Sequence, residues 1–328
     1  MYFVNYLRAI AAILITNSHY GEIWPISSLA AGGLLGNVLF FAISGFCLFN
    51  IKENFGKWYL KRFLRIYPVV IVFTLITVVI GFYPLKNFLD AIRLFVFPTS
   101  YIFIVWLMLC YVGFYVVAYL DKKINKFTEK CLFVLAVVWL AVYLIFIDKS
   151  YYHIDEVHKP FILFLYFGCM LLGGIFRKYY FKFTETKKVK LNALLLVVSI
   201  MVYFATKVLF MSVHTVSFLQ IINQFTIFAV VFFVFTTFIG LEEKLKKIPK
   251  GFNKPITFLS KITLQIYVVQ FVIIANFKYL VFPLDFIIVT ALILVVASAL
   301  YLAELYIRKA ISKLKERKRE NKNAESEN

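Results

Sequence analysis

The 328-residue chain is 62% hydrophobic, 19% aromatic and only 16% charged, with a formal net charge of +19. An ordinary soluble domain is about 25% charged, and no soluble core of this length absorbs so much apolar surface, so a soluble globular protein is excluded. The net charge alone would suit nucleic acid, but its distribution along the chain accounts for it differently.

Apolar runs long enough to cross a bilayer lie near residues 2–20, 32–51, 66–83, 100–120, 131–148, 160–176, 191–211, 219–240, 263–282 and 287–307. They predict an all-α, polytopic integral membrane protein with about ten transmembrane helices. Residues 84–99 are partly apolar and read as an interfacial or re-entrant piece, or as an eleventh span. The first run lacks a basic leader and a small-x-small cleavage site, and Arg8 interrupts it, so it is expected to be a retained helix.

That first run holds RAIAAILITNSHY, residues 8–20. Arg8 and His19 are eleven residues apart, or three helical turns plus about 20°, so they share a face roughly 16 Å apart along the axis. An arginine at the centre of a bilayer helix costs about 2.5–3.5 kcal/mol. Taken singly, Arg8 reads as a side chain snorkelling to the headgroups and His19 as an interfacial ring. Taken together, with Ala12 and Ile15 between them, they read as a lined path. Glu22 orients the imidazole if the helix continues that far, and is otherwise a solvated loop carboxylate.

The second run contains GNVLFFAISGF (36–46), whose Ser44 and Gly45 are a usual sign of close helix packing. In KWYLKRFLRIYP (57–68), Arg62 and Arg65 project together from an expected interfacial helix, and Pro68 is expected at the start of the next span. Alone, that cluster is positive-inside charge. Further on, YYHIDEVHK (151–159) gathers two histidines and two acids, but the spacing matches no standard metal site; it reads as a solvated loop against an acceptor. Lys207 is expected to snorkel outward and Glu304 to pair with Arg308, or either to line the acceptor path, while His214 reads as exposed. Cys47, Cys110, Cys131 and Cys169 all fall in apolar runs, against a disulfide framework or zinc site.

Orientation follows from the basic residues in the connections. Segments 52–65, 121–130, 177–190 and 241–262 and the tail from Arg308 hold 29 of the 36 Lys and Arg, all on one side if there are ten spans. Both termini are therefore expected in the cytoplasm. The division expected is a membrane domain over 1–308 and a basic, polar cytoplasmic tail over 309–328. Membrane lipid is then the partner of the charge, and nucleic acid is not.

In order and spacing, three of these stretches resemble acyltransferase family 3, the bacterial membrane O-acyltransferases. The family shows an Arg, ten residues, then His, as Arg8 and His19 do; an FF-x-x-SGF signature, matched by Phe40, Phe41, Ser44, Gly45 and Phe46; and an R-x-x-R-x-x-P pattern, matched by Arg62, Arg65 and Pro68. More loosely, Ser260 and Tyr267 fit an S-x-x-x-Y-x-x-H region in which Gln270 replaces the histidine, and Trp106 and Tyr111 fit a W-x-x-x-x-Y region. The resemblance implies transfer of an acyl group, usually acetyl, from cytoplasmic acyl-CoA to a hydroxyl of a cell-envelope polysaccharide or its lipid-linked precursor, in the inner membrane. Acetyl-CoA enters as donor substrate, with no tightly bound cofactor and no metal. Some members add an extracytoplasmic hydrolase-like domain; this chain ends too soon for one, so transfer is expected to finish in the membrane domain or on a partner. His19, with Glu22, is the candidate catalytic pair, because a neutral imidazole in a low-dielectric site takes a hydroxyl proton. Arg8, Arg62 and Arg65 are candidates for the acyl-CoA phosphates, since a guanidinium fork suits phosphate oxygens. Ser44, Trp106, Tyr111, Tyr267 and Gln270 are expected to line the site. A flippase of lipid-linked glycans and a non-catalytic scaffold are the alternatives; broken helices and internal repeats would favour the former, and no repeat is visible.

Overall fold

The computed structural model describes residues 1–83, 85–96, 101–184, 188–276 and 281–326, with side chains as far as residue 310. These form α1 (Tyr2–Ser18), α2 (Gly33–Leu48), α3 (Phe55–Val79), α4 (Phe88–Ala91), α5 (Ile102–Leu120), α6 (Phe127–Phe146), α7 (Ile162–Lys178) and α8 (Tyr180–Thr184). There follow α9 (Val189–Ser212), α10 (Ile221–Gly240), α11 (Glu242–Lys247), α12 (Lys250–Lys261), α13 (Thr263–Asn276) and α14 (Leu284–Ser326). No strand occurs among the described residues.

Each expected span coincides with a helix, and the protein is a polytopic helical membrane protein. Among the described residues, seven helices are long and apolar enough to cross a bilayer, and the α12–α13 pair, bent by 69°, makes an eighth when read as one broken span. The difference from ten lies partly in α1 and α7, of 17 residues each. At 1.5 Å per residue they reach about 26 Å, short of the roughly 30 Å hydrocarbon core. The stretch 84–99 does not span where it is described: it holds the four-residue α4 and one π-helical turn over Ile92–Val96. Residues 84 and 97–99 lie outside the described residues.

One expectation is corrected. No separate interfacial helix precedes the third span; α3 runs unbroken for 25 residues with Pro68 inside it. An interior proline removes the bond to the carbonyl four residues back. Here that carbonyl belongs to Leu64, and Leu64 and Pro68 are both exposed, so the gap opens outward and the helix continues. Arg62 and Arg65 thereby sit on the same rigid rod as the membrane segment.

The centre is built by α1, α2 and α7. A Cβ on Gly45 would stand 1.9 Å from the Met170 carbonyl oxygen, and one on Gly173 1.9 Å from that of Ala42. These helices cross backbone against backbone, which only glycine allows. Phe41, fully buried, stacks on Tyr166 at 4.3 Å beside this crossing. Helices α6 and α9 are peripheral, with Phe133, Leu144, Leu194 and Met201 facing outward as a lipid-exposed surface.

The buried Glu242 carboxylate accepts the Tyr2 and Phe3 amides at 3.0 and 2.7 Å, satisfying two orphan donors at the start of α1. At the other end of α1, Tyr20 shares a 2.9 Å hydrogen bond with Thr290 near the start of α14. Farther along α14, Glu304 accepts from Gln265, at the start of α13, and from Arg308. The Glu304–Arg308 pairing agrees with expectation. So α1 begins and α14 leaves at one end of the bundle, hereafter the basic end, and α14 continues as one helix to Ser326.

Candidate functional site

At the basic end four helices converge on the Tyr111 hydroxyl. It lies beside the Ser44 side chain from α2 and within electrostatic reach of Arg65 and Arg62 from α3 and Arg8 from α1. Arg8 is half-buried, its Nη2 3.6 Å from Cys47 Sγ. Arg62 is held from below: its guanidinium lies 4.4 Å over the buried Trp58 ring and donates to the Trp58 carbonyl at 2.9 Å. Trp58 in turn packs edge-on to Tyr111 at 5.9 Å and against Tyr115 at 5.3 Å. Among the described residues none of the three arginines is ion-paired with a carboxylate. Like charges so gathered repel, and an anion placed among them relieves that repulsion and finds planar donor forks.

At the opposite end of α1 a cavity of about 620 Å³ is lined by Ile15, Ser18, His19, Asn37, Tyr267 and Phe271, among others. His19 caps the helix, its amide bonded to the Thr16 carbonyl, and its half-buried ring meets Phe271 edge-on at 4.5 Å. Its side chain lines the cavity, and no hydrogen bond to its ring nitrogens from a described residue is seen. Asn37, one wall of the cavity, donates to the buried Tyr166 hydroxyl at 3.0 Å.

The two sets stay apart. Arg8, Ser44, Arg62, Arg65 and Tyr111 gather at the basic end, whereas His19 and Tyr267 line the cavity. Three expected site residues lie elsewhere. Helix α1 ends at Ser18, so Glu22 is not one turn beyond His19 on a continuing helix; it is exposed and outside the cavity wall, because the chain turns at residues 19–24. Trp106 reaches the site only at second hand, its Nε1 donating to the carbonyl of cavity-lining Val157 at 2.7 Å. Gln270 is fully buried and faces α1 instead, accepting from Thr16 Oγ1 at 2.7 Å.

Lys207 and part of the 151–159 loop line the cavity, the second of the two placements expected for Lys207. Lys207 does not snorkel outward; it turns in and pairs with Asp155, because a local carboxylate is a nearer partner than the headgroups. The loop carrying Asp155 is not solvated throughout. Three fully buried amides from the start of α10 hold it down: Gln220 accepts the His153 and Ile154 amides at 2.9 and 3.0 Å, Asn223 accepts the Tyr152 hydroxyl at 2.8 Å, and Gln224 donates to the Ile154 carbonyl. The sequence signal was QIINQF, three amides spaced three and four apart at the head of an apolar helix. Such amides need buried partners. His214, as expected, is exposed, and among the described residues no cluster could hold a metal.

A helical bundle with unpaired guanidinium groups at one end of a helix and a cavity-lining imidazole at the other has the parts of a membrane-embedded group-transfer enzyme. The family model described as "Acyltransferase domain" (acyltransferase family 3) matches residues 1–304. The chain belongs to that family and is a membrane acyltransferase. Neither a curated protein nor a solved structure matches it.

Proposed function

We propose that this protein is an O-acyltransferase of the inner membrane, moving an acyl group, most simply acetyl, from cytoplasmic acyl-CoA to a hydroxyl of a cell-envelope polysaccharide or its lipid-linked precursor. The supporting observation is an unpaired guanidinium cluster, of which Arg8 lies on α1, and, some three turns further along that helix at its C-cap, the cavity-lining imidazole of His19. Arg8, Arg62 and Arg65 hold the phosphates of the donor, and its pantetheine arm carries the thioester along α1 towards His19. The imidazole takes the acceptor's hydroxyl proton as that oxygen attacks the thioester carbonyl. A C–O bond forms, the C–S bond breaks, and the departing thiolate receives the proton from the imidazolium.

The test is mass spectrometry of envelope glycans from wild type, a deletion strain, and a deletion strain carrying His19→Ala. Loss of one acetyl group per modified sugar in both mutants is expected. Full acetylation with His19→Ala overturns the role of His19. A change in amount or location of glycan without acetyl loss overturns the transferase reading in favour of a flippase.

A further inference from the structure

The cavity that His19 lines also has an ion pair in its wall. Lys207 Nζ meets Asp155 Oδ2 between α9 and the 151–159 loop, and the two side chains are 30% and 17% exposed. Neither is saturated. A carboxylate offers about four acceptor sites and an ammonium three donors. Their mutual bond uses one of each. The remaining valences sit at the wall of a cavity whose other surfaces include the rings of Phe103, Tyr203, Tyr267 and Phe271. Its volume falls in the range of about 300–1,000 Å³ typical of small-molecule sites.

This wall is also rigid. The loop bearing Asp155 is tied to α10 through Gln220, Asn223 and Gln224, and Asn223 also donates to the Tyr203 carbonyl and Thr206 Oγ1 of α9 at 2.8 and 2.9 Å. One buried network therefore fixes both partners of the pair, Asp155 through the loop and Lys207 through α9. Groups so supported are preorganised for a ligand.

From this wall, and resting on the acyl-transfer reading above, we infer that Asp155 and Lys207 form the acceptor subsite, built for a neutral sugar ring and against an anionic one. Adjacent ring hydroxyls donate to the free lone pairs of Asp155 and accept from the free N–H groups of Lys207, while a ring face lies on the aromatic wall. A sugar carboxylate would find Lys207 already neutralised and Asp155 repelling it. The pair thus discriminates by charge while His19, lining the same cavity, meets the hydroxyl to be acylated.

Full-length protein in lipid nanodiscs tests this with two probes, methyl glucoside and methyl glucuronide, read by saturation-transfer NMR and, with acetyl-CoA, by acetyl transfer. Wild type should bind the glucoside, and the glucuronide at least about tenfold more weakly, the worth of one charge-assisted contact. Asp155→Asn should weaken glucoside binding and improve glucuronide binding, because it frees the Lys207 charge; Lys207→Met should weaken the glucoside without improving the glucuronide. Acetyl-CoA binding, unchanged in both variants, certifies that they are folded. No glucoside binding by wild type, or unchanged preference in Asp155→Asn, overturns the inference. Glucoside binding with the expected variant pattern but no acetyl transfer leaves the subsite standing and overturns the acyl-transfer reading instead.

Discussion

The two ends of α1 are built by different means. At the basic end the groups around Tyr111 come from short, recognisable stretches of the first five helices, and each projects from a helix whose face the spacing determines. At the cavity end the recognisable stretches supply His19, Asn37 and Tyr267; the rest of the surroundings come largely from the loop after α6 and from α9. The basic end presents uncompensated charge fixed by local geometry. The cavity presents compensated charge fixed by long-range hydrogen bonds, as the Asp155–Lys207 pair and the Gln220 bonds illustrate. The first suits a soluble anion such as the proposed donor, and the second a neutral, polyhydroxylated ligand such as the proposed acceptor.

The comparison breaks most visibly at His19. With His19→Ala, acetyl transfer in isolated membranes should fall ~10²–10⁴-fold, the scale of a lost general base, while equilibrium binding of labelled acetyl-CoA is unchanged. Equal loss in both measurements would mean that the ends are a single site. Next in size is the crossing on which both depend. Gly45→Ala drives a methyl into the Met170 carbonyl, and overpacking of this kind costs about 1–3 kcal/mol or more. Thermal unfolding in detergent should move down, with donor binding and transfer lost together. A variant of native stability would show that α2 and α7 can slide apart. Third, Arg62→Ala should weaken acetyl-CoA binding about tenfold to a hundredfold, as loss of a charge-assisted bond does, and leave acceptor binding untouched. Arg62→Lys should recover little, since an ammonium lacks the fork and the planar stacking on Trp58. Full recovery would reduce the site to a point charge.

How much of this was legible in the sequence follows the same division. Hydropathy located each expected span, and helical spacing put Arg8 on α1 with His19 at its C-cap three turns on, and Arg62 and Arg65 together on α3. What spacing does not encode is where a helix stops. Helix α1 stops at Ser18, so Glu22 does not stand one turn beyond His19 on the same helix, and α3 runs through Pro68 where two elements were expected. Nor does it encode partners distant in sequence. Lys207 looks like a snorkelling lysine until Asp155, 52 residues away, is brought beside it. Gln270 marks the position of a family histidine, yet its carbonyl oxygen accepts from Thr16 while its buried amide nitrogen has no partner among the described residues.

The smallest effect sharpens the comparison most, because it concerns a residue outside both sites. Trp106 touches the cavity only through its bond to the Val157 carbonyl. A phenylalanine there keeps most of the apolar bulk and loses the donor, leaving that carbonyl to find water at the cavity lip. A neutral hydrogen bond is worth about 0.5–1.5 kcal/mol, so Trp106→Phe should raise the KM for the acceptor by roughly two- to tenfold. The KM for acetyl-CoA should not move, because Trp106 shares α5 with Tyr111 but not its neighbours. If the donor KM rises as well, α5 couples the two ends as a rigid strut and their independence fails. If only the acceptor KM rises, the loop after α6 belongs to the acceptor side alone, and its attachment points on α5 and α10 are where acceptor preference can be altered without touching the donor.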